Sequence, residues 1–101
     1  MWICLHDAFL SVVYKDCPPD CLLVRARRQG DIEKIFPGYE VTASRHTDYR
    51  YRAVVPRRVV AEAIARRLQS IDYANFKASV ADDALHRAYA QVWGTMYRLQ
   101  R

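Results

Sequence analysis

Apolar positions recur every second residue through the first half of the chain and every third or fourth residue through the second half. Trp2 to Leu5 and Phe9 to Tyr14 flank His6-Asp7-Ala8 and predict a β-hairpin. Lys15 to Asp20 contains Pro18 and Pro19, which cannot donate ladder hydrogen bonds, so this stretch is a turn. From Leu22 to Arg28, Leu22, Val24 and Ala26 alternate with Leu23, Arg25 and Arg27, the pattern of a strand with one apolar and one charged face. Tyr39 to Ser44 and Tyr49 to Val55 predict a second hairpin around Arg45-His46-Thr47-Asp48. In its return strand Tyr49, Tyr51, Ala53 and Val55 share one face, and Arg50 and Arg52 share the other.

Helical spacing takes over between and after these strands. Asp31 is a suitable N-cap for a short helix over Ile32 to Phe36, which Pro37-Gly38 ends. Pro56 suits the first position of a helix running to about Ile71, with Val60, Ile64, Leu68 and Ile71 as its expected buried stripe. Asp72 is placed to cap a short helix through Val80, on which Phe76 and Val80 point inward. Asp82 is placed to cap a final helix with the stripe Leu85, Tyr89, Val92, Met96 and Leu99. Short connections imply antiparallel strands, and the helices gather toward the C-terminus. The expected class is α+β: an antiparallel sheet, ββαββα-like (ferredoxin-like or related), with helices packed on one face and a C-terminal helical segment.

The chain has 101 residues, 51% of them hydrophobic, with only three Gly and four Pro. That excludes collagen and low-complexity disorder, and one α+β domain over residues 1–101 accounts for the whole length. No apolar run approaches the roughly 18–20 residues of a membrane span, so no membrane partner is expected. Cys4, Cys17 and Cys21 cannot all pair within one chain, and the first residues lack a signal-peptide pattern. Free thiols and a cytoplasmic location are the expectation.

Charge adds a location. Lys and Arg number 16 against 11 Asp and Glu, a net +5. Seven arginines between Arg45 and Arg67, against Asp48 and Glu62, supply the whole excess. Guanidinium is planar, always charged and able to fork onto phosphate or carboxylate. Arg25 with Arg27 and Arg50 with Arg52 are i, i+2 doublets, so each doublet projects from a single strand face, opposite the apolar one. If the two strands share a sheet, all four guanidinium groups emerge on a side free of helices. With Arg45, Arg57 and Arg58 nearby, that surface is the candidate anion or nucleic-acid site. The competing reading is a solvated face interleaved with Glu40 and Asp48.

Other chemistry is thin. Cys4, His6, Cys17 and Cys21 form the one Cys3His combination, but a domain with its own core has little need of structural zinc, and no metal or other cofactor is expected. Tyr49, Tyr51, Tyr89 and Tyr97 read as core or rim aromatics, because no RNP-type motif accompanies them. His46 beside Asp48, and His86 at i, i+3 from Tyr89, are the nearest approach to a catalytic arrangement. No glycine-rich phosphate loop, HExxH or GxSxG is present, and no catalytic residue is assigned.

The stretches Ser11-Val12-Val13, Leu23-Val24-Arg25-Ala26-Arg27, Asp48-Tyr49-Arg50-Tyr51-Arg52, Ile71-Asp72-Tyr73-Ala74-Asn75-Phe76-Lys77 and Val92-Trp93-Gly94-Thr95-Met96-Tyr97 together resemble a group of small uncharacterised bacterial and phage open reading frames. The resemblance spans nearly the whole chain and implies a stand-alone protein, but it carries no activity with it. The functional expectation therefore rests on the arginines: a small non-catalytic module recognising nucleic acid or an acidic protein through an Arg-rich sheet face. The alternatives are a phage-derived interaction or inhibitor module acting on a host nucleoprotein complex, and an enzyme using His46, Asp48 and arginines on a small anion. Exposed strand edges in so small a domain also admit a two-fold homodimer.

Overall fold

Five antiparallel strands carry the molecule. The structure, a computed structural model, describes residues 1–100. The strands are β1 (Trp2–Cys4), β2 (Phe9–Val13), β3 (Cys21–Ala26), β4 (Thr42–Ala43) and β5 (Tyr51–Pro56). They lie in the order β1-β2-β3-β5-β4, and every pairing is antiparallel. The helices are α1 (Asp31–Ile35), α2 (Arg57–Gln69), α3 (Phe76–Ser79) and α4 (Asp83–Tyr97). This is the expected α+β class, with α1 and α2 on one face of the sheet and a C-terminal helical pair, α3 and α4.

The period-2 pattern sets which face is which. Leu10 and Val12 on β2, Val24 and Ala26 on β3, and Ala53 and Val55 on β5 form one core with Ile32, Ile35 and Phe36 of the α1 region and Val60 and Ala63 of α2. Burial of such a layer supplies most of the folding free energy at roughly 25 cal/mol per Å² of apolar surface. A smaller cluster joins Val80, Leu85 and Tyr89 to Phe9 and Phe76. Phe9 neighbours Leu10 on β2 and so points to the opposite face, which is where α4 docks.

Four details depart from the sequence pattern. Gly30, not Asp31, is the N-cap of α1 and adopts φ +92°, a conformation open to glycine at little cost. Asp31 lies inside the helix and is buried. Asn75, not Asp72, caps α3, accepting from the Ala78 N–H at 3.1 Å. Leu68 and Ile71 of the α2 stripe are exposed, and so are Val92, Met96 and Leu99 of the α4 stripe. Burial on both helices is confined to their N-terminal halves, at Val60 and Ala63 of α2 and at Leu85 and Tyr89 of α4. Asp82 does cap α4, accepting from the Leu85 N–H at 2.9 Å. No helix among the described residues is long and apolar enough to cross a membrane.

Candidate functional site

The arginine face is assembled at the centre of the sheet, by the pairing of β3 with β5. Register puts Arg25 directly opposite Arg52. Both side chains leave the face away from α1 and α2, because their neighbours Val24 and Ala53 belong to the core. Arg25 Nη2 donates to Ser11 Oγ at 2.8 Å, and Ser11, its ladder partner on β2, is almost fully buried. The guanidinium carbons of Arg25 and Arg27 lie 4.5 and 4.2 Å from the centre of the Tyr49 ring. Stacking on an aromatic face holds a guanidinium in place without neutralising it.

Tyr49 was expected on the core side with Tyr51, and the structure corrects this. β5 begins only at Tyr51, so the residues before it need not keep the strand alternation. Tyr49 is buried beneath the two arginines, while Tyr51 packs against the α1–α2 core. The same break separates the second doublet. Arg52 stays on the arginine face, whereas the Arg50 guanidinium carbon lies 6.0 Å from the Tyr51 ring, a core-side ring. Three of the four doublet arginines, not four, therefore share the surface.

Acids meet this surface unevenly. Arg27 pairs with Asp48 at 3.3 Å and donates to the Asp48 carbonyl at 3.1 Å. Among the described residues Arg25, Arg45, Arg50 and Arg52 have no carboxylate within ion-pair distance. Asp16 and Glu40 border a groove of about 470 Å³ beside Arg52 without reaching it. The Nε atoms of Arg25 and Arg52 are buried and have no hydrogen-bond partner.

Nor is the surface free of helices. Arg27, Arg28 and Tyr49 form one wall of a cleft of about 410 Å³, and Ala84, Ala88 and Val92 of α4 form the other. Arg28 belongs to the scaffold: it reaches Asp82 at 2.8 Å and Asp31 at 3.6 Å, tying α4 to α1. The Leu85 N–H and the Arg28 guanidinium together hold the Asp82 carboxyl below the usual carboxylate range.

The remaining predicted site residues lie elsewhere. Arg57 Nε donates to the Pro19 carbonyl at 3.0 Å, and its guanidinium covers the Tyr14 ring at 5.0 Å. Arg58 pairs with Glu62 within α2 at 3.4 Å. Both follow Pro56, four residues along the ladder from Arg52, or roughly 13 Å at the strand rise. Arg45 stands exposed in the turn before β5. His46 is exposed in that turn, its N–H donating to Ser44 Oγ, and neither it nor Arg50 borders the groove beside Arg52 or the α4 cleft. His86 faces the Lys77 carbonyl, while the Tyr89 hydroxyl donates to the Leu5 and Ala8 carbonyls, each at 2.9 Å. Cys4 pairs with Phe9 at one end of the sheet and Cys21 with Pro56 at the other, so the Cys3His combination is not brought together. No family model, curated protein or solved structure matches this chain.

Proposed function

We propose that the chain is a non-catalytic binding module whose arginine face recognises an anionic partner, a nucleic acid or an acidic protein surface. Arg25, Arg27 and Arg52 form the centre of the face, and Arg45 stands in the neighbouring turn. One observation carries the reading: two arginines sit directly opposite each other on adjacent strands with no carboxylate on either. Like charges in that position destabilise a sheet by tenths of a kcal/mol up to about 1 kcal/mol. A phosphate or carboxylate shared between two such guanidinium groups reverses the sign, because charge-assisted bonds to ions are worth about 1.5–3 kcal/mol each. The buried Tyr49 supports the charges and is not free to stack on a base, so recognition is of anionic groups, not of base identity.

Fluorescence anisotropy with labelled duplex DNA, single-stranded RNA and polyglutamate tests this. Arg25→Ala and Arg52→Ala are each expected to weaken binding roughly tenfold, the equivalent of one charge-assisted contact. Arg57→Ala and Arg58→Ala leave it nearly unchanged, because Pro19 and Glu62 already occupy those side chains. On duplex DNA, guanidinium–phosphate contacts from the two unpaired central arginines, Arg25 and Arg52, give a log–log salt slope of about −2. Binding that ignores salt, or that survives both central substitutions intact, would falsify the assignment.

A further inference from the structure

The outer edge of β1 is open. The Met1 ammonium donates to the Val12 carbonyl at 2.7 Å, and the Val12 N–H returns a bond to the Met1 carbonyl at 2.8 Å. At the other end the Leu5 N–H donates to the Ala8 carbonyl. Antiparallel bonding alternates, so Ile3 also faces β2, and the N–H and C=O groups of Trp2 and Cys4 point outward. Among the described residues nothing pairs with them. An edge strand of this kind is a template for another strand.

The apolar surface left over by the fold gathers around the same edge. Of the exposed large apolar side chains, all but Tyr14 and Val54 belong to β1 and the residue before it, to the end of α2 and its following turn, or to α4 and the turn after it. On the α2 side, Leu68 and Ile71 line a groove of about 530 Å³ that runs along Ile3, Cys4 and Leu5. On the other side, Trp2 and Val92 line the α4 cleft. α4 crosses the sheet from Arg28, which holds its first turn, over Leu5 and Ala8 to Trp2. Met96 in its last turn, and Leu99 in the turn that follows it, are exposed. A strand added to β1 would lie between Leu68 and Ile71 on one side and Trp2 and Val92 on the other.

We propose that the strand is β1 of a second copy, joined across a two-fold axis at Ile3. The edge is complementary to itself in that register. Trp2 of one copy faces Cys4 of the other, which satisfies all the outward groups in two hydrogen-bonded pairs and continues the sheet to ten strands. The antiparallel register sets Trp2 of the second copy opposite Cys4, on the sheet face where Trp2, Cys4 and Val92 line the α4 cleft. Charge at the groove itself is balanced: Arg67 beside it is already paired with Asp7 at 2.8 and 3.1 Å. The half-exposed aromatic and aliphatic side chains offer on the order of 800 Å² per copy, the size a stable dimer needs.

Sedimentation equilibrium of the full chain under reducing conditions reads the outcome. The wild-type chain is expected at twice the monomer mass at concentrations up to about 100 µM, which exceeds the micromolar Kd that interfaces of this size reach. Cys4→Pro removes an outward N–H and no bond to β2, and Trp2→Lys places a charge in the seam; both are expected to give monomers with unchanged circular dichroism. In a background of Cys4→Ser, Cys17→Ser and Cys21→Ser, Ile3→Cys is expected to form a disulfide-linked dimer on oxidation, since the two Ile3 positions face each other across the axis. A wild-type monomer throughout that range overturns the proposal. So does a dimer that persists in both Cys4→Pro and Trp2→Lys.

Discussion

Where β3 ends at Ala26, the neighbouring β2 continues to Phe9, whose N–H has lost its ladder partner. Asp31 supplies one: its Oδ2 accepts from the Phe9 N–H at 3.2 Å. The residue is 2% exposed, and Arg28 and Lys34 reach its carboxylate at 3.6 and 3.8 Å. Asp31→Ala strands an N–H and removes the shared counter-charge of two cations. The expected loss is roughly 2–4 kcal/mol, between the cost of an unsatisfied buried donor and that of a broken buried pair. Urea denaturation checks it, and a loss below about 0.5 kcal/mol, the range of ordinary surface substitutions, would refute this role. Sequence alone marks Asp31 as a helix cap, since Asp before an apolar run is the usual signal. Its true partner lies 22 residues away on another strand, a separation that no local pattern encodes. Tyr49 was misplaced for a related reason: alternation assigns faces only while a strand lasts, and β5 starts two residues later.

At the scale of elements, docking strength differs between the two halves of the chain. β2, β3 and β5 are paired on both edges and bury their apolar alternates under α1 and α2. α4 is held by Leu85 and Tyr89, by the Tyr89 hydroxyl bonds to the β1–β2 turn, and by the Asp82–Arg28 pair at its N-terminus. One carboxylate at this boundary, Asp82, titrates low for the reasons given above; Asp7 is lowered as well, by the hydrogen bonds and charge of Arg67 against its partial burial, but that pair ties the β1–β2 turn to α2. A depressed folded-state pKa gives stability that is complete above the unfolded value and is lost as pH falls through the folded one. Acidification below about pH 4 is therefore expected to release α4 before the sheet. Hydrogen exchange would show α4 amides losing protection while β3 and β5 amides keep theirs, and Asp82→Asn would blunt the effect. Simultaneous loss in both regions would contradict it. Strand order apart, these elements were legible from periodicity, since the 2-residue and 3.6-residue spacings are clear in the chain. The coverage of α2 and α4 was not: an apolar stripe reports what a helix can bury, and Leu68, Val92 and Met96 lie beyond anything this single copy supplies.

The whole molecule separates its two unfinished surfaces. Uncompensated charge sits on the central strands, while uncovered apolar surface surrounds the β1 edge. The net +5 arises entirely between Arg45 and Arg67, and Arg52 within that stretch confronts Arg25 across the ladder. Folding thus brings like charges together, and anything that screens or binds them stabilises the native state. Thermal stability is expected to rise from low to moderate sodium chloride, because screening weakens self-repulsion over the Debye length of about 10 Å at 0.1 M. Polyphosphate at matched ionic strength should raise Tm further, since it binds the folded face in addition to screening it. Arg52→Gln removes one of the opposed charges and is expected to stabilise the chain at low salt by a few tenths of a kcal/mol, while losing the extra gain from polyphosphate. Differential scanning fluorimetry of both chains measures all three effects. If Arg52→Gln instead lowers Tm at low salt, the opposed pair is not a source of strain, and the electrostatic basis for the anion-binding face falls with it.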